Sequence, residues 1–420
     1  MRITCGERLR AQSAGQRSLQ RCQQGERSES IPLSPPQSVS GLFKNRSVVF
    51  LIRPIINLLI YYGVSTLMKH SPVSHFLQRG NNNLDLIRIS CAFFVIYSHS
   101  FALSPAAGST DILFKMTSLG YVAFGGVAVK TFFLISGLLV TNSLISNGNI
   151  IHYVASRIFR VYPAYLAVIV TFALLIGPWL SSVSIGEYFS SKETLHYIVR
   201  TLKFNVQYTL PGVFTHNALT AVNGSLWTIP MEVKAYFYLL LIYLVSLVFG
   251  PYKKAFIALV SLAIIIEPFT PFKGALISKS DDPSIYLLYP FFSIGCLLAI
   301  FKDKITTTSF FAVTVIALLL FFLVNNDQLK TGLFYLFSSF LLLYISSLSL
   351  INKIKIKNDI SYGIYLWAFP IQQTIASFVI ASPYINILLS AVLSSLFAYV
   401  SFRLIEGPSM QFGKRLTNRK

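Results

Sequence analysis

The chain has few charged residues: Asp, Glu, Lys and Arg make up 12% of its 420 residues. A soluble globular protein carries roughly 25%. Hydrophobic residues reach 54% and the mean hydropathy is +0.62, and apolar runs of about 20 residues recur along the chain. These runs are continuous, whereas the strands of a transmembrane barrel alternate between apolar and polar residues. The composition therefore predicts an all-α, polytopic membrane protein.

Acidic residues are scarcer than basic ones, with 15 Asp and Glu against 35 Lys and Arg, a formal charge of +20. Such an excess occurs in proteins that bind nucleic acid. Here the basic residues lie mainly in short loops between apolar runs, where they act as topology signals. We therefore expect no nucleic-acid partner, and membrane lipids as the surroundings.

Cysteine is also scarce. Of four residues, Cys5 and Cys22 lie in a polar tail, and Cys91 and Cys296 lie inside apolar runs. No CxxC or Cys/His cluster occurs, so the sequence indicates neither a disulfide framework nor a zinc site. We expect no metal.

About ten spans follow from the apolar runs. Their predicted bounds are residues 84–105, 119–145, 161–181, 226–249, 253–269, 285–301, 307–324, 331–350, 360–381 and 384–404. Lys and Arg are concentrated in one set of loops and in the segment after the last span. These residues are Arg157, Arg160, Lys253, Lys254, Lys302, Lys304, Lys353, Lys355, Lys357, Arg403, Lys414, Arg415, Arg419 and Lys420. The bias predicts that both ends of the ten-span unit are cytoplasmic.

The N-terminal region, residues 1–80, is expected to precede a membrane domain at 81–408 and a basic cytoplasmic tail at 409–420. Residues 1–46 are polar and are predicted to be disordered. Segment 47–68 is long enough to span, but Arg53 and Pro54 disfavour a regular span, so an interfacial helix and an eleventh span both stay open. We expect the mature protein to begin at or near Met68.

The first predicted span carries Arg88 and His99. Eleven residues of α-helix bring these side chains within about 20° of each other and about 16 Å apart along the axis. Ionisable groups inside a bilayer usually face a protein interior or a watery cavity. The pair therefore indicates a polar channel, with Arg88 near the cytoplasm. The structural alternative is helix packing by His99 and anchoring by Arg88.

Glu232 lies about six residues from the predicted outer end of the fourth span, and His99 about six from the outer end of the first. The two are expected to meet at one depth, where the carboxylate would orient the imidazole as a base. A structural contact of Glu232 is the alternative. Lys130, deep in the second span, is expected to meet an anionic part of a substrate or to form a structural ion pair.

Arg157 and Arg160 are one helical turn apart in a predicted cytoplasmic loop. Two guanidinium groups on one face suit a phosphate or pyrophosphate. The alternative is that they only fix the topology.

These segments occur in the same order as the motifs of the membrane-bound acyltransferase 3 family, and the chain resembles that family over about residues 80–415. The matching residues are Arg88 and His99 (arginine, ten residues, histidine), Phe132, Phe133, Ser136 and Gly137 (FFxxSG), Arg157 and Arg160 (RxxR), and Trp227 and Glu232 (LWTLxxE). The segments SYGIYLWAFPIQ and RLIEGP are similar to the two closing motifs. Ala368 departs from the pattern, because a histidine often follows YLW there.

The resemblance implies a bacterial inner-membrane O-acetyltransferase of cell-surface polysaccharides such as O-antigen or exopolysaccharide. It implies cytoplasmic acetyl-CoA as the acyl donor and a lipid-linked or growing glycan as the acceptor. His99 would be the general base or carry the acyl group, Glu232 would orient it, and Arg88 would lie near the donor entrance. Arg157, Arg160 and Lys130 would bind the donor. A small-molecule or lipid acceptor, or a transporter or flippase with no covalent chemistry, is the alternative.

Overall fold

A computed structural model describes residues 71–78, 80–117, 119, 122–274, 280–378 and 382–417. Within these ranges the chain forms helices and turns and no β-strand, with two isolated β-bridges. The predicted all-α fold is confirmed. The predictions for the N-terminal tail, segment 47–68 and a start at Met68 lie outside the described residues. The predicted tail 409–420 is helical as far as Thr417.

The α-helices are, in chain order, α1 (Val73–Phe76), α2 (Leu84–Leu103), α3 (Ile112–Thr117), α4 (Phe124–Asn147), α5 (Ile150–Thr171), α6 (Gly177–Leu180), α7 (Ile185–Ser190), α8 (Lys192–Leu202), α9 (Thr228–Ser246), α10 (Lys253–Ile266), α11 (Pro283–Tyr286), α12 (Leu288–Ile300), α13 (Thr307–Leu323), α14 (Asp327–Ser347), α15 (Ser361–Phe378), α16 (Pro383–Ser401) and α17 (Gly407–Thr417). Single π-helical turns, Phe172–Ile176 and Phe402–Glu406, continue α5 and α16. Short 3₁₀ turns are Gly224–Trp227, Leu247–Tyr252, Glu267–Phe269 and Ile351–Lys353.

Each of the ten predicted spans overlaps a helix. The third is longer than predicted, because α5 begins at Ile150 and not near residue 161, so Arg157 and Arg160 lie in a helix and not in the predicted loop. Seven helical runs in the described residues are long and apolar enough to cross a membrane: Leu84–Leu103, Phe124–Asn147, Ile150–Leu180, Gly224–Phe269, Pro283–Ile300, Asp327–Ser347 and Pro383–Thr417. The run Gly224–Phe269 contains two predicted spans, α9 and α10, because the backbone breaks at Gly250, where φ is +52°. The remaining two are α13, which is 17 residues long, and α15, which is buried along most of its length.

Helix α4 lies at the centre and packs against α2, α12 and α14. Its contact with α12 is backbone to backbone. A Cβ atom on Gly137 would lie 2.0 Å from the Phe292 carbonyl oxygen, and one on Gly295 would lie 2.2 Å from that of Leu134. Small residues allow such approach between membrane helices, so Gly137 and Gly295 set the distance between α4 and α12.

The segment 217–227 runs alongside α15 and becomes buried from Val222 onward. Asn217 Nδ2 donates to the carbonyl oxygen of Gln373 at 2.9 Å, and Asn223 Nδ2 donates to that of Leu366 at 2.9 Å. These acceptors are seven residues apart on α15, or about 10 Å along its axis. The chain thus descends from the outer part of α15 towards the middle before α9 begins.

Candidate active site

A pocket of about 320 Å³ opens at the predicted cytoplasmic end of the bundle, among α2, α4, α5, α9, α15 and α17. Its lining carries four permanently cationic side chains against one carboxylate. The polar lining residues are Arg88, Ser136, Ser143, His152, Ser156, Arg157, Arg160, Glu232, Tyr236, Tyr362, Lys414 and Thr417. Such a pocket favours an anionic ligand.

Two of these cations share one carboxylate. Arg88 Nη1 and Arg160 Nη2 both donate to Oδ2 of Asp359, the latter at 2.7 Å. The Asp359 side chain is 12% exposed, and its Oδ1 accepts from the backbone N–H of Ser361 at 3.1 Å. Burial acts to raise the pKa of the Asp359 carboxyl, but the two guanidinium groups and Ser361 outweigh it and hold that pKa well below its ordinary value. Asp359 therefore stays ionised and joins α2 to α5.

Arg157 is placed differently from Arg160. Its guanidinium lies over the Tyr236 ring, 5.8 Å from the centroid, and its Nε donates weakly to Ser156 Oγ at 3.4 Å. Among the described residues, no carboxylate pairs with Arg157. The predicted pair of arginines therefore lines one pocket, but Arg157 keeps its charge available for a ligand.

The pocket continues inward as a narrow cavity of about 50 Å³. Both cavities are lined by Arg88, Ser136, Glu232 and Tyr362. The inner cavity is closed by Val129, Phe132, Phe133, Thr228, Ile229, Ser361 and Tyr365. A charged mouth thus leads to a narrow, largely aromatic and aliphatic throat.

Glu232 lies where the two cavities meet. Its Oε1 accepts hydrogen bonds from Ser136 Oγ at 3.3 Å and from the Tyr236 hydroxyl. Tyr236 is one turn after Glu232, so the motif MEVKAY already holds this i, i+4 pair. The structure therefore adds Tyr236 to the candidate residues, and it gives Ser136 of the FFxxSG segment a carboxylate partner.

The predicted meeting of Glu232 with His99 is wrong. Thr228, the first residue of α9, bonds the Tyr365 hydroxyl at 2.7 Å, and Glu232 is one turn further towards the predicted cytoplasmic end. The His99 ring packs edge-on against Phe369, at 5.1 Å between centroids. Phe369 is one turn of α15 beyond Tyr365 in the outward direction, so His99 and Glu232 lie on opposite sides of the Thr228–Tyr365 contact. The prediction failed because segment 217–227 enters the bundle, which moves α9 towards the cytoplasmic end.

His99 itself is partly buried, on α2 as expected. Its Nδ1 is buried and has no hydrogen-bond partner within the described residues. The neighbouring turns of α2 are fixed by Gln372, whose Nε2 donates to the Ile96 carbonyl at 2.9 Å and to Ser100 Oγ at 2.7 Å. His99 lines neither of the two cavities.

Lys130 is turned away from the site, and the expectation that it binds the donor is corrected. Its Nζ donates to the carbonyl oxygen of Ser284 at 3.1 Å and lies 4.6 Å from the centroid of the Tyr335 ring. The cavity is instead reached from α4 by Phe133 and Ser136. A backbone carbonyl and a ring face solvate the buried ammonium group, which is a structural role.

Asp359 was missed by sequence reasoning. It lies 271 residues from Arg88 and 199 from Arg160 along the chain, in a short polar loop that carries no motif. No local spacing connects the three residues. Only the packing of α15 against α2 and α5 brings the carboxylate to the two arginines.

Comparisons with known proteins identify similar chains. Residues 81–404 match the family described as an acyltransferase domain. The chain is 30% identical over 345 residues to an O-acetyl transferase of Shigella phage Sf6, covering 78% of this chain and 95% of that one. It is 25% identical to nodulation protein 10 of Rhizobium leguminosarum bv. viciae, covering 81% and 96%. It is also 25% identical to O-acetyltransferase OatA of Staphylococcus aureus, covering 70% and 54%. No solved structure matches the chain significantly.

Proposed function

Because this chain belongs to the membrane-bound acyltransferase 3 family, and is thus a multi-pass membrane O-acyltransferase, we propose that it acetylates a cell-surface polysaccharide. The donor is cytoplasmic acetyl-CoA, and the acceptor is a hydroxyl of a lipid-linked or growing glycan such as O-antigen or exopolysaccharide. The enzyme lies in the bacterial inner membrane. Membership of an enzyme family removes the ground for the transporter alternative.

The observation that carries the donor assignment is the cationic pocket that narrows into the bundle. Coenzyme A has a highly charged nucleotide end and a thin, neutral thioester arm. The wide mouth offers Arg157 for a phosphate group, and Arg160, which stays paired with Asp359, adds to its positive charge. The 50 Å³ throat suits the arm and leads past Ser136 and Glu232. The charged mouth thus matches the nucleotide end of acetyl-CoA, and the narrow throat matches its thioester arm.

The acetyl group is transferred to the hydroxyl through His99 in one of two ways. As a general base, the imidazole removes the hydroxyl proton while the oxygen attacks the thioester carbonyl, the C–S bond breaks, and coenzyme A leaves as the thiolate. As a carrier, the imidazole nitrogen attacks the thioester carbonyl, and the C–S bond breaks to release the thiolate. The hydroxyl oxygen then attacks the acetyl-imidazole, the N–C bond breaks, and the hydroxyl proton passes to the freed imidazole nitrogen. Nδ1 without a protein partner suits either course.

Glu232 has a different place in this scheme from the one expected. It lies at the junction of mouth and throat, beside Arg88 and within hydrogen-bonding distance of Ser136. From this position Glu232 lines the route that the thioester arm takes, and it does not orient His99. Its charge also offsets part of the excess of cations in the pocket.

The assignment is tested on the cell-surface glycan. Polysaccharide from cells with and without the gene is compared by mass spectrometry and NMR. We expect acetyl-sized mass increments, with O-acetyl NMR signals, only when the gene is intact. An unchanged glycan together with a newly acylated small molecule or lipid would reject the polysaccharide acceptor and keep the acyltransferase.

A further inference from the structure

Helix α17 runs antiparallel to α5 at the pocket mouth. Three contacts join the two helices: Met410 Sδ with Arg160 Nη1 at 3.4 Å, the Phe412 ring with the Phe159 ring at 5.5 Å between centroids, and Thr417 Oγ1 with His152 Nδ1 at 3.0 Å. Residue numbers rise along α17 as they fall along α5. The C-terminal helix is therefore aligned with α5 along its length.

The docking of α17 depends on one close approach. A Cβ atom on Gly413 would lie 2.7 Å from Cδ2 of Phe159 and 3.0 Å from its Cγ. Any larger residue at this position would push the helix away from the ring. Packing at Gly413 therefore helps to set the position of α17, together with the three contacts above.

One face of α17 forms a wall of the 320 Å³ pocket. That face presents Met410, Gly413, Lys414 and Thr417, which have the i, i+3, i+4, i+7 spacing of a single helical stripe. Lys414 is exposed at the mouth. The pocket is thus completed by a helix that begins after the last predicted span.

The four cations of the pocket differ in their availability. Arg88 and Arg160 are held by Asp359. Arg157 rests on the Tyr236 ring without a carboxylate. The side-chain ammonium group of Lys414, which lines the pocket, has no ion-pair or hydrogen-bond partner among the described residues. The two cations free to meet an anion therefore come from different walls, Arg157 from α5 and Lys414 from α17.

We propose that α17 is part of the donor site and that Lys414 binds the 3′-phosphate of the coenzyme. This inference rests on the proposed use of acetyl-CoA. With the thioester arm in the throat, the pyrophosphate lies near Arg157, which contacts Tyr236 beside the throat. The outermost phosphate, on the ribose, then reaches the exposed mouth where Lys414 stands. A primary ammonium group suits this exposed monoester phosphate as a point charge.

The test is a binding titration with the purified full-length protein in a neutral detergent that contains no phospholipid. Coenzyme A and 3′-dephospho-coenzyme A are titrated separately by calorimetry. We expect the unaltered protein to bind coenzyme A roughly tenfold more tightly than 3′-dephospho-coenzyme A. This ratio corresponds to the free energy of one charge-assisted hydrogen bond. Lys414→Gln should bind both ligands with about equal affinity, and Lys414→Arg should keep the preference.

The matched control is Arg415→Gln, which removes the same charge from the next residue of α17. Arg415 is exposed and does not line the pocket, so this variant should keep the preference. Gly413→Leu should lose it with Lys414 intact, because the wall is displaced. Thermal unfolding of each variant shows that the bundle is folded.

Each result decides one question. If the unaltered protein binds neither ligand, the donor assignment fails. If it prefers coenzyme A and Lys414→Gln keeps that preference, the donor assignment stands and the role of Lys414 is overturned. If Lys414→Gln and Arg415→Gln weaken the preference for coenzyme A equally, the role of Lys414 is overturned too. The positive charge of α17 as a whole would then explain the preference. If Lys414 binds only lipid headgroups, Lys414→Gln will keep the preference for coenzyme A, which likewise overturns the proposed role.

Discussion

Arg160 donates from Nη2 to Oδ2 of Asp359 at 2.7 Å, and the same oxygen accepts from Arg88. One carboxylate from the loop before α15 thus holds an arginine of the first span and an arginine of the pocket wall. The positions of both guanidinium groups depend on a residue that belongs to neither motif.

Asp359→Asn should destabilise the protein. Two partly buried guanidinium groups would lose their common counter-ion, and removing one partner of such an ion pair costs up to about 3 kcal/mol. We expect a clearly lower thermal unfolding midpoint and weaker acyl transfer. Asp303→Asn, on the exposed turn after α12, is the matched control. Equal midpoints for the two variants would contradict a structural role of Asp359.

The effect of Asp359→Asn should also depend on pH. The folded-state pKa of Asp359 lies below the unfolded value of 3.8, so its stabilising contribution is complete above pH 3.8 and declines as the pH falls below it. The difference in unfolding midpoint between the unaltered protein and the variant should therefore be constant from pH 7 to about 5 and shrink below about 4. A difference that grows on acidification would contradict this ion pair.

Gly137→Ala should disrupt the contact of α4 with α12. The new Cβ would lie 2.0 Å from the Phe292 carbonyl oxygen, a backbone atom that cannot rotate away. We expect a loss of stability of about 3 kcal/mol, measured as a lower unfolding midpoint and lower abundance in the membrane. Gly186→Ala, with no atom within 4 Å of its Cβ, should leave both unchanged. Matching behaviour of the two variants would count against the helix contact.

Tyr236→Phe should lower acyl transfer roughly tenfold, the cost of one hydrogen bond to a charged group. The substitution removes the hydroxyl bonded to Glu232 but keeps the ring under Arg157. Transfer from labelled acetyl-CoA in membrane vesicles measures the effect. Tyr399→Phe, on the exposed face of α16, serves as the control. Full activity of Tyr236→Phe would show that the Glu232 contact is dispensable.

Hydropathy and the spacing of residues along the chain predict most of the helices and the placement of several candidate site residues. The long apolar runs correspond to helices, and the eleven-residue spacing places Arg88 and His99 on α2. Arg157 and Arg160, one turn apart, line one pocket. These features follow from helix geometry and apolar length, which are local properties of a chain.

Features set by the packing of distant segments were not predictable. The depth of Glu232 depends on segment 217–227, which looks like an outer loop but bonds to buried α15. Lys130 was judged from its depth in α4, and depth does not say which face of a helix a side chain occupies. Asp359 reaches its arginines across the fold. Each failure concerns a neighbour far away in sequence.

The role of His99 is tested most directly by the acetylation of the glycan. Cells expressing the intact protein, His99→Ala, or the control His216→Ala, a histidine in segment 182–223, are compared at equal membrane abundance by NMR of the polysaccharide. We expect O-acetyl signals from the intact protein and from His216→Ala, and none from His99→Ala, since loss of acid–base catalysis alone costs roughly 10²–10⁴-fold. Near-normal acetylation by His99→Ala would contradict the role of His99 as base or carrier.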